Sequence, residues 1–145
     1  MIIGIGTDLI EVERVDRVRR RHGDRFLRLC FTENEQAYAL ARKNVSQHLA
    51  ARFAAKEAVM KALGTGWGRG VRWRDIEVRR RAGEAPRIVL SGGAARRARA
   101  LGVARLHLSL SHLRGEAIAF VVAEGTKPRP ERVRRPRAGR RGRSG

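Results

Sequence analysis

The sequence predicts a single α+β domain in which a mainly antiparallel sheet packs on one long central helix. Two observations carry this prediction. Residues 47–63 form an almost entirely apolar segment that glycine ends, as in a buried helix. Residues 105–111 alternate apolar and polar side chains, and an apolar run follows at residues 117–123 after a turn, as in a β-hairpin. The chain has 145 residues, which is enough for one domain with a hydrophobic core.

The N-terminal part predicts one strand and two helical segments. Residues 1–9 are β-branched and apolar, which predicts a strand with Asp8 at its end. Valines at three-residue spacing predict a helix over residues 11–21 with one buried stripe. A short helical piece is expected at residues 26–31.

Two capping signals predict where the next helices begin. Thr32 followed by Glu35 has the spacing of a capping box and predicts a helix that runs to about Ala41. Ser46 is the predicted N-cap of the long central helix, residues 47–63.

The part after the central helix predicts a loop, a hairpin and one more helix before the final pair of strands. Residues 64–70 are rich in glycine and predict a loop. Residues 75–80 and 86–90 read as two strands joined by a turn at residues 82–84, and a helix is expected over residues 93–101.

The net charge of the chain is strongly positive, at +19. Residues 1–124 form the predicted domain, and residues 125–145 form a basic tail that contains proline and glycine and that we expect to be disordered. The positive charge of the domain itself favours an acidic partner, an anionic substrate or both. A basic nucleic-acid-binding protein is the alternative prediction, although no motif of that class is present and the tail alone would bind nucleic acid non-specifically.

Cysteine use and hydropathy disfavour other classes of protein. The one cysteine, Cys30, cannot form an internal disulfide, so we expect a reducing, cytoplasmic compartment and a core position for Cys30. The N-terminal apolar run is short and is broken by Asp8, unlike a secretory signal. No apolar segment reaches the roughly 20 residues of a membrane-spanning helix, so no membrane partner is expected.

Glu57 and Lys61 lie one turn apart on one strip of the central helix. A charge on a mostly apolar helix is costly unless it has a partner, so this strip is a candidate site. An ordinary surface ion pair is the alternative. Asp8 could meet Glu57 in space, and two carboxylates with waters and phosphate oxygens suit Mg²⁺. Alternatively, Asp8 caps the following helix and Glu57 is unrelated to it.

Three segments together resemble the holo-acyl-carrier-protein synthases, a branch of the 4'-phosphopantetheinyl transferase superfamily. They are IGIGTDLIEVERV at residues 3–15, RFAAKEAVMKALGTG at residues 52–66, and LSLSH at residues 108–112 with the apolar strand after it. Their order and spacing match the family over about residues 1–124 and leave the tail unexplained.

The resemblance implies transfer of 4'-phosphopantetheine from coenzyme A to a serine of apo acyl carrier protein, in fatty acid biosynthesis. The by-product is adenosine 3',5'-bisphosphate. Asp8 and Glu57 are implied to bind Mg²⁺, and Lys61 to neutralise charge on the transferring phosphoryl group. Glu57 is also a candidate base for the serine proton.

The resemblance also implies a set of residues that bind coenzyme A. Gly64 and Thr65 belong to the glycine loop near its pantetheine and diphosphate, and Lys61 lies beside its phosphates. His112 is implied to bind the nucleotide end. Taken alone, the loop could be only a helix C-cap, and His112 could be a hairpin residue without a role.

The first helix is strongly basic, and acyl carrier proteins are acidic helical bundles. A basic helix beside Asp8 would therefore steer and orient one. Arg14 matches the family motif and is the strongest candidate for docking, while Arg21 is inferred from charge alone. A solvated charged face is the alternative. The resemblance further implies a homotrimer whose sites are shared between neighbouring subunits.

Overall fold

The computed structural model describes residues 1–126. In chain order, its elements are β1 (Ile2–Glu11), α1 (Val12–His22), α2 (Asp24–Cys30), α3 (Glu33–Leu40), α4 (Val45–Leu63), a 3₁₀ helix (Trp73–Asp75), β2 (Ile76–Arg79), β3 (Arg87–Leu90), α5 (Gly92–Leu101), β4 (Val103–His112) and β5 (Glu116–Gly125). The predicted α+β class is confirmed, and α4 is the predicted long central helix. The predicted tail lies outside the described residues from residue 127 onward.

The strands form two antiparallel sheets. The larger sheet has the order β1-β5-β4, so that β5, the last strand in the chain, lies in the centre. Asp8 on β1 pairs with Ala119 on β5, which in turn pairs with Leu110 on β4. The smaller sheet is the hairpin β2-β3. No helix within residues 1–126 has the length and apolar character needed to cross a membrane.

The inner face of the larger sheet packs closely on α4 because both surfaces carry small side chains. Every inward residue of β5 from Ala117 to Ala123 is fully buried. A Cβ atom added at Gly6 of β1 would lie only 1.9 Å from the carbonyl oxygen of Ala58, and one added at Gly4 would lie 2.1 Å from that of Ala62. The backbone of β1 therefore rests directly against α4. This contact brings Asp8 close to the Glu57 and Lys61 turn of the helix.

The ends of some elements differ from the sequence-based predictions. The strand β1 continues to Glu11, because its ladder with β5 continues to the pair Glu11 and Glu116, so that Asp8 lies within the strand rather than at its end. The capping box of Thr32 and Glu35 is confirmed: the Glu35 amide donates to Thr32 Oγ1 at 3.3 Å, and Glu35 Oε1 accepts from the Thr32 amide at 3.0 Å.

The predicted N-cap of the central helix at Ser46 is wrong. The helix α4 begins at Val45 with Asn44 as its N-cap residue. Ser46 lies in the first turn, where its hydroxyl donates to Asp16 Oδ1 at 2.6 Å. The serine thus joins α4 to α1, and this tertiary hydrogen bond replaces the local one that its residue type predicts.

Candidate active site

Four charged side chains meet where β1, α1 and α4 come together. Asp8, Arg14, Glu57 and Lys61 all line one cavity of about 430 Å³. The Lys61 ammonium donates to the Thr7 carbonyl oxygen at 2.8 Å and lies 3.3 Å from Asp8 Oδ1. The structure therefore brings together the residues that the sequence predicted for metal binding and catalysis.

The electrostatics of this cavity favour a bound cation. The pKa of Glu57 is raised, first because the carboxyl is partly buried and second because it feels the negative charge of Asp8. The positive charges of Lys61 and Arg14 oppose this rise and do not cancel it. A divalent cation bound in this cavity would offset the negative charge that disfavours ionisation of Glu57.

The donor set of the cavity fits magnesium. Two carboxylates, with space for waters and substrate oxygens, are the ligands that Mg²⁺ takes in phosphoryl-transfer sites. Within residues 1–126 no cluster of three or more His, Cys, Asp or Glu side chains could hold a metal by itself. Asp8 and Glu57 would thus be the protein ligands of the ion, and oxygens of water and substrate would complete its coordination shell.

The rest of this cavity is apolar. Its wall is formed by Val15 and Val18 of α1, Phe26 and Cys30 of α2, Phe53 of α4, and Trp73. The rings of Phe53 and Trp73 are stacked with their centroids 4.9 Å apart. Burial raises the pKa of the Cys30 thiol to about 11, so the thiol is neutral at physiological pH and serves as a small apolar side chain.

The glycine loop begins as the C-cap of α4. Gly64 has a left-handed backbone, with φ of 69°, which favours glycine at a helix end. The Thr65 amide donates to the Met60 carbonyl oxygen at 3.0 Å, and Arg97 Nε donates to that of Leu63 at 3.1 Å. The C-cap interpretation therefore holds, while a role of Gly64 and Thr65 in binding coenzyme A stays a prediction.

A second groove, of about 310 Å³, lies on the other side of α4 and contains His112. His112 Nδ1 lies 2.8 Å from Gln47 Nε2, and Arg52 and Arg80 line the same groove. Arg52 is 4% exposed, stacks on the Tyr38 ring at 3.9 Å, and has an Nε atom without a hydrogen-bond partner among residues 1–126. The groove is a basic pocket with a buried donor that remains to be satisfied.

Sequence reasoning missed this groove. Arg52 lies in the family-like segment at residues 52–66 and has no predicted role, yet it lines the groove together with His48 and His112. The pKa of His48 is lowered by burial and by the nearby positive charges of Arg52 and Arg42. One signal in the sequence could have indicated the groove: the charged Arg52 stands on a mostly apolar helix, four positions before Lys56. These two residues, and not Glu57 and Lys61, are the buried charges of α4.

The two predicted docking arginines differ in position. Arg14 lines the active cavity, whereas Arg21 lies exposed in the last turn of α1 and is not among the residues that line that cavity. Both lie on one helix that leads away from Asp8. Their role in binding a partner stays a prediction.

Comparison with known proteins decides the family. The model of the 4'-phosphopantetheinyl transferase superfamily matches residues 4–121. The chain belongs to this superfamily. The holo-acyl-carrier-protein synthase of Solibacter usitatus is 47% identical over 124 residues, which cover 86% of this chain and 99% of that protein. That of Anaeromyxobacter sp. strain K is 50% identical over 131 residues, covering 88% and 100%.

Solved structures of the same enzyme agree with this assignment. The synthase of Neisseria meningitidis matches with a TM-score of 0.79 at 35% identity, covering 86% of this chain and 99% of that one. The Helicobacter pylori synthase, solved in complex with coenzyme A, matches with a TM-score of 0.73 at 31% identity, covering 83% and 99%. The predicted enzyme class, a holo-acyl-carrier-protein synthase type of phosphopantetheinyl transferase, is confirmed.

Proposed function

We propose that this enzyme transfers the 4'-phosphopantetheine group of coenzyme A to a serine hydroxyl of apo acyl carrier protein and releases adenosine 3',5'-bisphosphate. The observation that carries this proposal is the meeting of Asp8, Glu57 and Lys61 in one cavity. Fatty acid biosynthesis and a cytoplasmic location are part of the proposal. The family membership and the coenzyme A complex of the H. pylori relative support it.

The chemistry follows from the charges in the cavity. When bound by Asp8 and Glu57, Mg²⁺ would offset negative charge on the diphosphate of coenzyme A. The Lys61 ammonium, whose side chain is 53% exposed, can reach a phosphate oxygen of the transferring group. As the serine oxygen bonds to the phosphorus of the phosphopantetheine group, the bond from that phosphorus to the leaving nucleotide breaks. Glu57, a carboxyl with a raised pKa, is the candidate acceptor of the serine proton.

The second groove is suited to the nucleotide end of coenzyme A. A phosphate oxygen there would accept a hydrogen bond from the unpartnered Nε of Arg52. Burial lowers the pKa of the Arg52 guanidinium, so a negatively charged partner would stabilise its charged form. His112 and Arg80 add donors from the same groove. This proposal gives His112 the role that the family resemblance implied.

The carrier protein is expected to dock on α1. This helix carries basic residues in its last turn, and Arg14 places one positive charge at the rim of the catalytic cavity. An acidic helical protein would thus be oriented with its serine toward Glu57. Arg21, at the far end of the helix, would contribute to steering rather than to contacts at the site.

A homotrimer, which the family resemblance implies, is part of the proposal, and the apolar outer face of the larger sheet supports a contact between subunits. Ile5 and Leu9 of β1 are 61% and 64% exposed, and Ile118 and Phe120 of β5 are 41% and 46% exposed. The ladder places these side chains next to one another on the face opposite α4. Such a contiguous patch on a sheet favours coverage by another subunit.

Mass spectrometry of apo acyl carrier protein tests the proposed function. Incubation with this enzyme, coenzyme A and Mg²⁺ should add roughly 340 Da, the mass of one phosphopantetheine in covalent transfer. Glu57→Ala is the matched variant, and it should lose transfer together with magnesium dependence. An unmodified carrier protein with the wild-type enzyme, or full turnover by Glu57→Ala, would contradict the proposal.

A further inference from the structure

A fully buried ion pair lies one residue away from the catalytic Glu57. The Lys56 ammonium is 2.6 Å from Glu35 Oε1, and both side chains are completely buried. Burying two charges is costly even when they are paired, and an apolar pair of equal size is often as stable. Such a costly pair is expected to fix a specific part of the structure.

The ammonium of Lys56 makes two more hydrogen bonds, both to main-chain oxygens. It donates to the carbonyl of Trp73 at 3.0 Å and to the carbonyl of Ile76. The partner carboxylate also accepts from the main chain, since the Val78 amide donates to Glu35 Oε2 at 3.0 Å. All three donors of the lysine are therefore used, and the pair joins α3, α4, the 3₁₀ helix and β2.

The segment that this pair fixes carries one wall of the catalytic cavity. The Trp73 ring stacks on Phe53 with an angle of 28° between the planes, and both rings line the cavity that contains Glu57. The 3₁₀ helix has its own local cap, in which Asp75 Oδ2 accepts from the Arg72 amide at 3.0 Å. That cap shapes the turn, whereas the bond from Lys56 attaches the turn to α4.

We propose that Lys56 is a positioning residue that holds Trp73 as the apolar wall against which the acyl carrier protein packs beside Glu57. This inference rests on the proposed function. The wall lies in the same cavity as Arg14 and Val18 of α1, the helix proposed for docking. Lys56 itself touches neither substrate, because it is completely buried. Its loss should weaken use of the carrier protein more than use of coenzyme A, because Lys56 does not line the second groove.

Two variants distinguish the effect of the hydrogen bonds that Lys56 donates from the effect of the buried charges. Glu35→Gln is the control: without the carboxylate, burial favours the neutral amine of Lys56, and its two N–H groups can still donate to both carbonyls. Glu35→Gln combined with Lys56→Met removes both charges together with those donors, so no lone buried charge remains. Relative to the control, the double variant should raise the KM for carrier protein about tenfold and change the KM for coenzyme A by less than about twofold.

Fluorescence gives a readout that does not depend on activity. The chain has two tryptophans, so Trp67→Phe leaves Trp73 as the single reporter. In that background the double variant should show greater quenching of Trp73 by acrylamide than Glu35→Gln does. Unchanged quenching together with a carrier KM within about twofold of the control would overturn the proposal.

Trp73→Ala keeps the proposal testable if the double variant fails to fold. This variant retains the carbonyl that Lys56 contacts and removes only the wall. It should raise the carrier KM in the same way, and an unchanged value would overturn the inference. A wild-type enzyme that modifies no carrier protein would refute the proposed function itself, whereas normal carrier use by these variants would refute only the role of Lys56.

Discussion

The substitution Gly6→Ala tests the contact that places β1 against α4. The new methyl carbon would lie 1.9 Å from the Ala58 carbonyl oxygen and 2.9 Å from the Ala62 nitrogen. An ordinary carbon–oxygen contact is about 3.4 Å, so strand and helix must separate by roughly 1.5 Å. Both obstructing atoms belong to the helix backbone, and no side-chain rotation can relieve the clash.

The cost of this separation can be estimated for folding and for catalysis. Overpacking of a core by one methyl group usually costs about 1–3 kcal/mol of unfolding free energy, and a clash with backbone falls at the upper end, near 3 kcal/mol. Asp8 follows Gly6 by two residues, and Glu57 precedes Ala58 by one. Moving β1 away from α4 therefore moves one carboxylate away from the other, and a displacement of about 1 Å in a catalytic site can cost about 100-fold in rate.

Urea unfolding and transfer kinetics provide the assay, with Gly115→Ala as the matched control. A Cβ atom at Gly115 meets no atom within 4 Å, and both variants lose the same glycine freedom in the unfolded chain. Gly6→Ala should therefore be less stable than Gly115→Ala by about 3 kcal/mol and should lose about 100-fold in kcat/KM. Equal stability and equal activity of the two variants would refute the close contact and the argument built on it.

Three further predictions concern charge and assembly. The raised pKa of Glu57 means that its ionisation at neutral pH lowers the free energy of unfolding, so Glu57→Gln should be more stable than wild type at pH 7 without magnesium. This gain should vanish below about pH 4, where the carboxyl is protonated in both states. Urea denaturation of both proteins across pH measures the difference, and a Glu57→Gln variant less stable than wild type at pH 7 would contradict the prediction. Arg14→Glu should raise the carrier KM about tenfold and spare the coenzyme A KM, whereas Arg87→Glu, an equal charge change on β3, should alter neither; equal effects would exclude specific docking by α1. Phe120→Asp should convert the proposed trimer to monomers in analytical ultracentrifugation, and an unchanged sedimentation coefficient would exclude the sheet face as the interface.

Local patterns predicted much of the fold, because the interactions that they reflect are themselves local. The alternation in residues 105–111 and the capping box of Thr32 and Glu35 act over a few positions, and both are confirmed. Ser46 misled the prediction of a helix start because its hydroxyl bonds to Asp16, 30 positions away. The capping preference of serine reflects only its neighbours in sequence, so it cannot predict such a distant partner.

The candidate site shows the same limit. No periodicity connects Asp8 with Glu57; the family resemblance brought them together, and the structure places both in one cavity. Sequence reasoning attributed the cost of a buried charge to Glu57 and Lys61, whereas Lys56 is the charge that is fully buried. All three lie on the same helix, and Lys56 is buried with a carboxylate partner because α3 packs beside it, which no pattern within α4 records.

The backbone contact between β1 and α4 has a consequence for the order of events at the site. Because neither element can shift without opening the core, the two carboxylates are preorganised on the walls of one cavity before an ion or a substrate arrives. For the proposed ion, little backbone conformational entropy would then remain to be lost on binding, which would favour affinity from Asp8 and Glu57 alone. In the proposed reaction, movement would therefore come from the pantetheine arm and the incoming carrier protein rather than from the contact between β1 and α4.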